Sequence, residues 1–301
     1  MWPLPYLLNN QVVGVEVGSN GIKAVQISSP KGRPHITGMG SAPLPIEELT
    51  VDILATTLTQ CFAQFKHHRG EVIATLPAEQ LIYRTLTVPA MDQVELDTAM
   101  FYEAQDMLNQ EVEDWVVRHC VLGTTPNNHH QVKVLLVAAP RQPVLLLYEA
   151  FKAVNLKLMM IDIPYFGLWR FARQQLAETK ENCALVHIDA DATLLMIVKN
   201  QAIHHLRLLP LGYQHIQQQG NDSYVQQLDN AIEIYQQQIP VQKLILSGSG
   251  DITYLVTDLS KTIGLPVETV HWPPMLANDQ LSADYIMATG LALKGVKVDE
   301  I

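Results

Sequence analysis

A tight turn near the amino terminus carries residue types that can hold a phosphate group. Gly18 lets a ligand approach the backbone closely, while Ser19 and Asn20 offer hydrogen-bond donors. Lys23 supplies a positive charge, and Glu16 precedes the turn at the end of a strand. Successive backbone N–H groups in such a turn form a concavity that binds anions. These five residues are therefore candidate nucleotide ligands. The alternative is a plain hairpin, because an Asn-Gly pair between apolar strands favours one.

A second turn, in the carboxyl-terminal half, is a weaker candidate for binding phosphate. Asp189 stands where the first turn has glycine, and Asp191 adds another carboxylate two residues later. Two carboxylates oppose a polyphosphate unless a magnesium ion lies between them. Asp189 is thus a candidate cofactor residue only together with magnesium. His187 stands where the first half has Glu16, and an isolated histidine at a strand end is typical of a hydrogen-bonded structural residue.

A third turn leads from a strand into a helix and contains Gly248, Ser249 and Gly250. Glycines at such a place let the backbone approach a flat ligand such as adenine or its ribose. An ordinary strand–helix turn is the alternative. Turns that face each other across a cleft would clamp a nucleotide, so ATP with Mg²⁺ is the cofactor that these motifs suggest. The sequence offers no catalytic nucleophile motif and no spacing typical of metal ligands.

The elements that position these turns repeat along the chain. Both halves follow the order β-β-β-α-β-α, and Val15–Gly18 aligns with Val186–Asp189 at an offset of about 171 residues. The polar stretch Glu178–Asn182 is the best boundary, which predicts halves at 1–181 and 182–301.

Three local predictions concern individual elements. Asp92 followed by Glu95 predicts a capped helix start. A second helix is expected to open at Pro143 and to bury Tyr148 on its apolar face. A hairpin loop is expected over Thr124–Gln131.

Composition and charge exclude several classes of protein. The 301 residues are 48% apolar and 17% charged, and 20 basic against 30 acidic side chains give a net charge of −10. Such a chain lacks the basic surface of a nucleic-acid binder. Its three cysteines are too far apart in sequence for a disulfide framework and suit a reducing compartment. No apolar run reaches the roughly 20 residues of a membrane span. We therefore expect a cytoplasmic protein without direct membrane insertion.

The order of these motifs resembles the PilM family of type IV pilus assembly proteins, which is related to the cell-division protein FtsA. Gly14–Val25 is similar to the family's opening phosphate motif, and Ala74–Pro89 looks like its small inserted subdomain. Later landmarks are matched by Leu209–Gly212, Leu246–Gly250 and Thr289–Leu293. The resemblance implies a duplicated actin-like (ribonuclease H-like) α/β fold. It also implies an inserted α+β subdomain at about 78–131 in the first half.

Departures from the family pattern bear on nucleotide chemistry. Glu16 replaces the usual aspartate, and His187-Ile188-Asp189 replaces Asp-x-Gly. No acidic residue follows Asp162 in the connecting segment, and the stretch 212–244 appears shorter than usual, trimming the outer subdomain of the second half. These departures imply a degenerate nucleotide site with weak or absent ATP hydrolysis. An active ATPase or a sugar-kinase-like phosphotransferase is the alternative.

The resemblance also implies a protein partner. In the family, the cytoplasmic tail of an inner-membrane protein, PilN, lies between the first main subdomain and the inserted one. Arg84, Leu86 and Val88 are then the expected contacts, although the Arg84 stem can instead pack while its charge reaches water. An acidic protein suits a tail with basic residues next to the membrane, which would bring the chain to the inner membrane. Self-association, and a role in type II secretion or DNA uptake, stay open.

Overall fold

Two five-stranded sheets and one three-stranded sheet organise the chain. The computed structural model describes residues 10–18, 21–45, 49–67, 70–109, 112–125, 128–248, 252–276 and 282–296. The first sheet contains β1 (Gln11–Gly18), β2 (Gly21–Ser28), β3 (His35–Pro43), β4 (Glu71–Thr75) and β8 (Leu158–Asp162). Their order across the sheet is β3-β2-β1-β4-β8.

The predicted hairpin at the amino terminus is confirmed. β1 and β2 pair antiparallel with Gly18 opposite Gly21, while β1 pairs parallel with β4. Residues 12–17 of β1 are all buried, as expected for a central strand covered on both faces. β1 is thus a buried, valine-rich central strand, and it ends at Gly18, the first glycine of the first candidate turn.

The second sheet repeats the arrangement of the first. Its strands are β9 (Cys183–Ile188), β10 (Thr193–Lys199), β11 (Ala202–Leu209), β12 (Lys243–Gly248) and β13 (Val267–Thr269). The order β11-β10-β9-β12-β13 matches the order of the first sheet, strand for strand. β9 pairs antiparallel with β10 and parallel with β12, as β1 does with β2 and β4. The carboxyl ends of β1 and β9 thus hold equivalent positions in the two halves.

The third sheet is inserted between β4 and β8 of the first. It contains β5 (Ile82–Pro89), β6 (Trp115–Thr125) and β7 (Asn128–Pro140), in the order β5-β7-β6. The helix α2 (Gln93–Leu108) covers one face, and Asp92 caps it by accepting from the N–H of Glu95 at 2.9 Å, as predicted. The predicted hairpin is present, because β6 pairs antiparallel with β7. The predicted loop bounds of Thr124–Gln131 are too wide, since the strands continue to Thr125 and resume at Asn128.

Helices pack between and around the sheets. Besides α2 they are α1 (Val51–Phe62), α3 (Arg141–Ala153), α4 (Pro164–Glu178), α5 (Tyr213–Gln219), α6 (Asn221–Gln236), α7 (Leu255–Ile263) and α8 (Ile286–Gly295). α8 lies on β1, β2 and β4 of the first sheet, although it follows the second sheet in sequence. Its Gly290 meets Gly167 of α4 so closely that a Cβ there would overlap the Gly167 carbonyl oxygen. Among the described residues, no helix has the length and apolar character needed to span a bilayer.

Two helix predictions need correction. α3 begins at Arg141 rather than Pro143, because proline is tolerated anywhere in the first turn, where N–H groups lack partners. Tyr148 lies 48% exposed on α3 instead of buried. α5 buries only Ile216 among its residues, so no apolar periodicity marks its bounds. Gly220, with φ of 84°, separates α5 from α6.

Candidate functional site

The ends of β1 and β9 meet across the cleft between the two halves. Glu16 and Gly18 from the first half, and His187 and Asp189 from the second, line one small cavity. It encloses about 20 Å³, enough for roughly one water molecule. Ligand pockets for small molecules usually measure about 300–1,000 Å³. Of the predicted nucleotide residues, Glu16, Gly18 and Asp189 thus line one cavity that is smaller than a usual ligand pocket.

Glu16 is a buried carboxyl group at the end of β1. It lies opposite Lys23 in the β1–β2 register. Burial raises the pKa of Glu16 to about 7; Lys23 opposes this shift, and Asp189 and Asp284 add to it. Its Oε2 atom has no hydrogen-bond partner among the described residues. Near neutral pH the group is consequently poised between its protonated and ionised forms.

His187 is a structural histidine, as predicted. The side chain is buried on β9, and its Nδ1 lies 2.8 Å from the Ser247 hydroxyl on the neighbouring strand. Burial lowers the pKa of His187 to about 4; Asp189 opposes this shift, whereas Lys23 reinforces it. The ring is thus neutral at pH 7 and offers no positive charge to a phosphate.

The second turn uses its own backbone donors internally. The Asp189 carboxylate accepts from the N–H of Ala190 at 2.8 Å, and the Asp189 N–H donates to the Ala192 carbonyl at 2.9 Å. The first N–H groups of α5, those of Tyr213 and Gln214, donate to the carbonyls of Asp189 and Ala190 at 2.8 and 2.9 Å. These four backbone N–H groups, which face the turn, are therefore already paired within the chain.

Carboxylates dominate the electrostatics of the cleft. Glu79 lines the cavity with an exposed side chain; desolvation of its carboxyl group raises its pKa, and Asp189 and Asp191 raise it further. Asp284 likewise raises the pKa of Glu16. Across the part of the chain that the structure describes, no three Asp, Glu, His or Cys side chains are arranged to hold a metal ion. Glu16, Glu79 and Asp189 therefore place three carboxyl groups around this cavity, and their negative charge would oppose a polyphosphate.

The third predicted turn begins at Gly248, the last residue of β12. A Cβ at this position would lie 2.6 Å from the Ile188 carbonyl oxygen, so the neighbouring strand β9 itself requires glycine here. Ser249 and Gly250 lie outside the described residues, as do Ser19 and Asn20 of the first turn. Their roles in nucleotide binding stay predictions.

A buried ion triad, which the sequence reasoning missed, lies beside the cleft. Asp162 ends β8 and pairs in register with Thr75, which lines the cavity. Its Oδ2 accepts from Arg170 Nη2 of α4 at 2.7 Å and from Lys294 Nζ of α8 at 3.0 Å. Burial opposes ionisation of Asp162, but the two cations outweigh it and lower its pKa. The sequence signal for the triad was a basic residue in each of two largely apolar helices, Arg170 in α4 and Lys294 in α8.

The predicted partner contacts lie on the face of β5 that α2 covers. Leu86 and Val88 pack against the buried cluster that contains Leu96 and Met100 of α2. Arg84 ion-pairs with Asp106 at 3.0 Å and keeps about a third of its side chain exposed. All three side chains thus have partners within the chain, and their contact with another protein stays a prediction.

An open groove lies where the inserted sheet meets α3. Its volume is about 350 Å³, and its walls include Asp114, Trp115, Pro140, Arg141 and Leu145. Trp115 begins β6 opposite Pro140, which ends β7, so the strand register fixes this wall. Arg141 is held by a 2.8 Å hydrogen bond from its Nε to a backbone carbonyl.

The sequence reasoning missed these groove residues. One signal was available: Leu145 is an apolar residue off the buried stripe of α3. Such a residue lies outside the core and leaves apolar surface available for a contact.

Comparisons with known proteins agree with this architecture. The family described as type IV pilus assembly protein PilM matches residues 14–243. The solved PilM–PilN type IV pilus biogenesis complex is similar, with a TM-score of 0.84 and 21% identity over 95% of this chain and 98% of that one. A Bacteroides thetaiotaomicron protein of actin-like ATPase fold and unknown function gives 0.57 and 12%, covering 96% and 98%.

A third similar structure is the cytoplasmic domain of EpsL, an inner membrane component of the type II secretion system of Vibrio cholerae. Its TM-score is 0.53 and its identity 13%, over 93% of this chain and 94% of that one. Together with the repeated sheets, these similarities confirm the predicted duplicated actin-like fold.

Proposed function

The chain belongs to the PilM family of type IV pilus assembly proteins, and from this premise we propose that it is a scaffold rather than an enzyme. It binds the cytoplasmic tail of a PilN-like inner-membrane protein in the groove between the inserted sheet and α3. Its nucleotide site is degenerate. The observation that carries the proposal is the open groove of about 350 Å³ in a chain whose interdomain cleft encloses only about 20 Å³.

The groove supports binding of a short apolar peptide. Trp115 and Leu145 offer apolar surface, and Leu145 is 48% exposed. Aromatic side chains and arginine are the residues most often responsible for tight protein contacts. The flanking Asp114, in a chain of net charge −10, favours basic residues next to the apolar part of the tail. A tail of this kind would bring the protein to the inner membrane through its partner.

The closed cleft supports the absence of ATP turnover. The turn at Asp189 pairs its N–H groups internally, and Glu16, Glu79 and Asp189 crowd the same cavity. An ATPase of this fold would need space for the polyphosphate and an unpaired set of donors. We propose that any nucleotide could enter only if the two halves separate. The halves themselves are proposed at 1–181 and 182–301, with the insertion, predicted at about 78–131, extended to the end of β7 at Pro140.

A labelled peptide from the amino-terminal tail of the PilN-like protein tests the partner proposal. Leu145→Asp places a charge in the groove and should weaken binding at least about tenfold. Ile234→Asp is the matched control, because Ile234 is 56% exposed on α6, away from the groove. Arg84→Ala tests the earlier prediction in the same assay. Equal affinity for wild type and Leu145→Asp would remove the groove from the proposal.

Turnover of ATP with magnesium tests the enzyme alternative. We expect no turnover above background in the wild-type protein. Turnover that disappears on Lys23→Ala would show that the first turn is catalytically competent, and the scaffold proposal would then be wrong.

A further inference from the structure

The outer face of α2 presents a stripe of two apolar and two polar side chains to solvent. Val94 is 75% exposed and Phe101 47% exposed, and both lie opposite the buried side of the helix. With the exposed Thr98 and Gln105 they follow spacings of four, three and four residues. This is the period of a coiled-coil seam, in which one helix packs along another. Tyr102, 64% exposed, widens the stripe.

The charges beside the stripe select the kind of partner. α2 carries Glu95, Asp97, Glu103 and Asp106 and has no lysine or arginine. Arg84 pairs with Asp106 and lies 3.9 Å from Glu103. Asp97 accepts a hydrogen bond from Gln93 and lies 3.3 Å from the imidazole of His119, whose pKa is lowered by burial. A basic helix would find unlike charges on both sides of the stripe. A second copy of α2, or an anionic membrane, would meet like charge.

We propose that this face, the α2 stripe of Val94, Thr98, Phe101 and Gln105, docks a helix of another protein that carries lysine or arginine beside an apolar seam. This site is separate from the groove proposed above for the PilN-like tail, which is called the tail groove from here on. The stripe points away from the inserted sheet, whereas the groove lies where that sheet meets α3. The same small subdomain therefore offers two binding surfaces of different shape, a concave one for a tail and a helical one for a helix.

A pair of synthetic helical peptides of about three heptads tests the proposal. Both carry leucine along the seam; one has lysine and the other glutamate at the flanking positions. The lysine peptide should bind the full chain. Phe101→Ser and, separately, Val94→Ser should weaken this binding at least about tenfold. Ile234→Ser, which removes an equally exposed apolar side chain from α6, should leave it within about twofold.

Several outcomes would overturn the proposal. They are no binding of the lysine peptide, equal binding of the glutamate peptide, or unchanged affinity in both stripe variants. A wild-type dimer in sedimentation that Phe101→Ser abolishes would assign the stripe to a second copy and equally overturn it. The tail-peptide affinity of Phe101→Ser should remain that of wild type. This readout shows that the variant is folded and separates failure of the stripe from failure of the groove.

Discussion

The interdomain cleft and the tail groove are two concavities with opposite properties. The cleft is closed around about 20 Å³ and gathers carboxyl groups and a neutral histidine. The groove is open, at about 350 Å³, and combines an aromatic, an aliphatic and a cationic side chain. In the cleft the polar groups are paired with one another or buried, so little remains for a ligand. In the groove the apolar side chains are exposed, so binding a partner gains free energy by covering them.

The ion triad at Asp162 is buried, whereas the ion pair at Arg84 is exposed. The Asp162 triad joins β8, α4 and α8, elements drawn from both halves of the sequence. Arg84 and Asp106 form an exposed pair in the inserted subdomain. Removing one partner of a buried pair leaves an uncompensated charge, whereas an exposed pair contributes little.

The largest expected effect is therefore on stability, from Asp162→Ala. The variant leaves Arg170 and Lys294 facing each other without their carboxylate, and we expect a loss of about 3–5 kcal/mol in the free energy of unfolding. Urea unfolding measures it. The control Asp106→Ala should lose less than about 1 kcal/mol. Similar losses in the two variants would contradict the contrast between a buried and an exposed pair.

The next effect is a pH dependence caused by Glu16. Its folded pKa of about 7 lies above the ordinary 4.5, so the folded state holds the proton more tightly. The resulting stabilisation is complete below pH 4.5 and is lost as the pH rises through 7. Between pH 5 and 8 the wild type should lose about 2–3 kcal/mol relative to Glu16→Gln.

The same pair of proteins controls for His187. Its folded pKa is lowered to about 4, so its contribution is lost as the pH falls below 6.5. This contribution is common to wild type and Glu16→Gln and cancels in their difference. Parallel stability curves for the two proteins would show that Glu16 is not buried as described.

A smaller effect is expected on the groove side, from salt. The chain carries a net charge of −10, and Asp114 lies at the groove. Binding of a basic tail should therefore weaken about three- to tenfold between low and high salt, because ions screen the attraction. Fluorescence anisotropy at several salt concentrations measures this. An affinity that does not change with salt would contradict this prediction and would mean that only the apolar contacts bind the tail.

The smallest effect concerns the cap of α2. Asp92→Ala removes the side chain that accepts from the Glu95 N–H, and the expected loss of stability is about 0.5–2 kcal/mol. The tail affinity should not change, because Asp92 does not line the groove. A weakened tail affinity would indicate that α2 and the groove are coupled.

The sequence predicted those parts of the fold that are determined by residues close together in the sequence. The Gly18–Gly21 turn and the Asp92–Glu95 cap involve residues three apart, and both are present. Leu86 and Val88 show the limit of such reasoning. Their alternation with polar residues identified an apolar face of β5 but not the helix that covers it.

The closed cleft could not be predicted from local signals. It depends on how two sheets of distant sequence approach each other, and the Asp162–Lys294 pair spans 132 residues. Trp115 and Leu145 likewise become one groove only because β6 pairs with β7 and α3 follows directly. The acidic character of the second turn was visible in Asp189 and Asp191, but the hydrogen bonds from its N–H groups to the Asp189 carboxylate and the Ala192 carbonyl were not.

Calorimetric titration of one protein preparation, first with ATP and Mg²⁺ and then with the PilN-like tail peptide, tests the central claim most directly. The closed, acidic cleft predicts no saturable heat from the nucleotide, and the open groove predicts saturable binding of the peptide that Leu145→Asp weakens. Saturable binding of ATP with Mg²⁺, together with no heat from the peptide, would contradict the account.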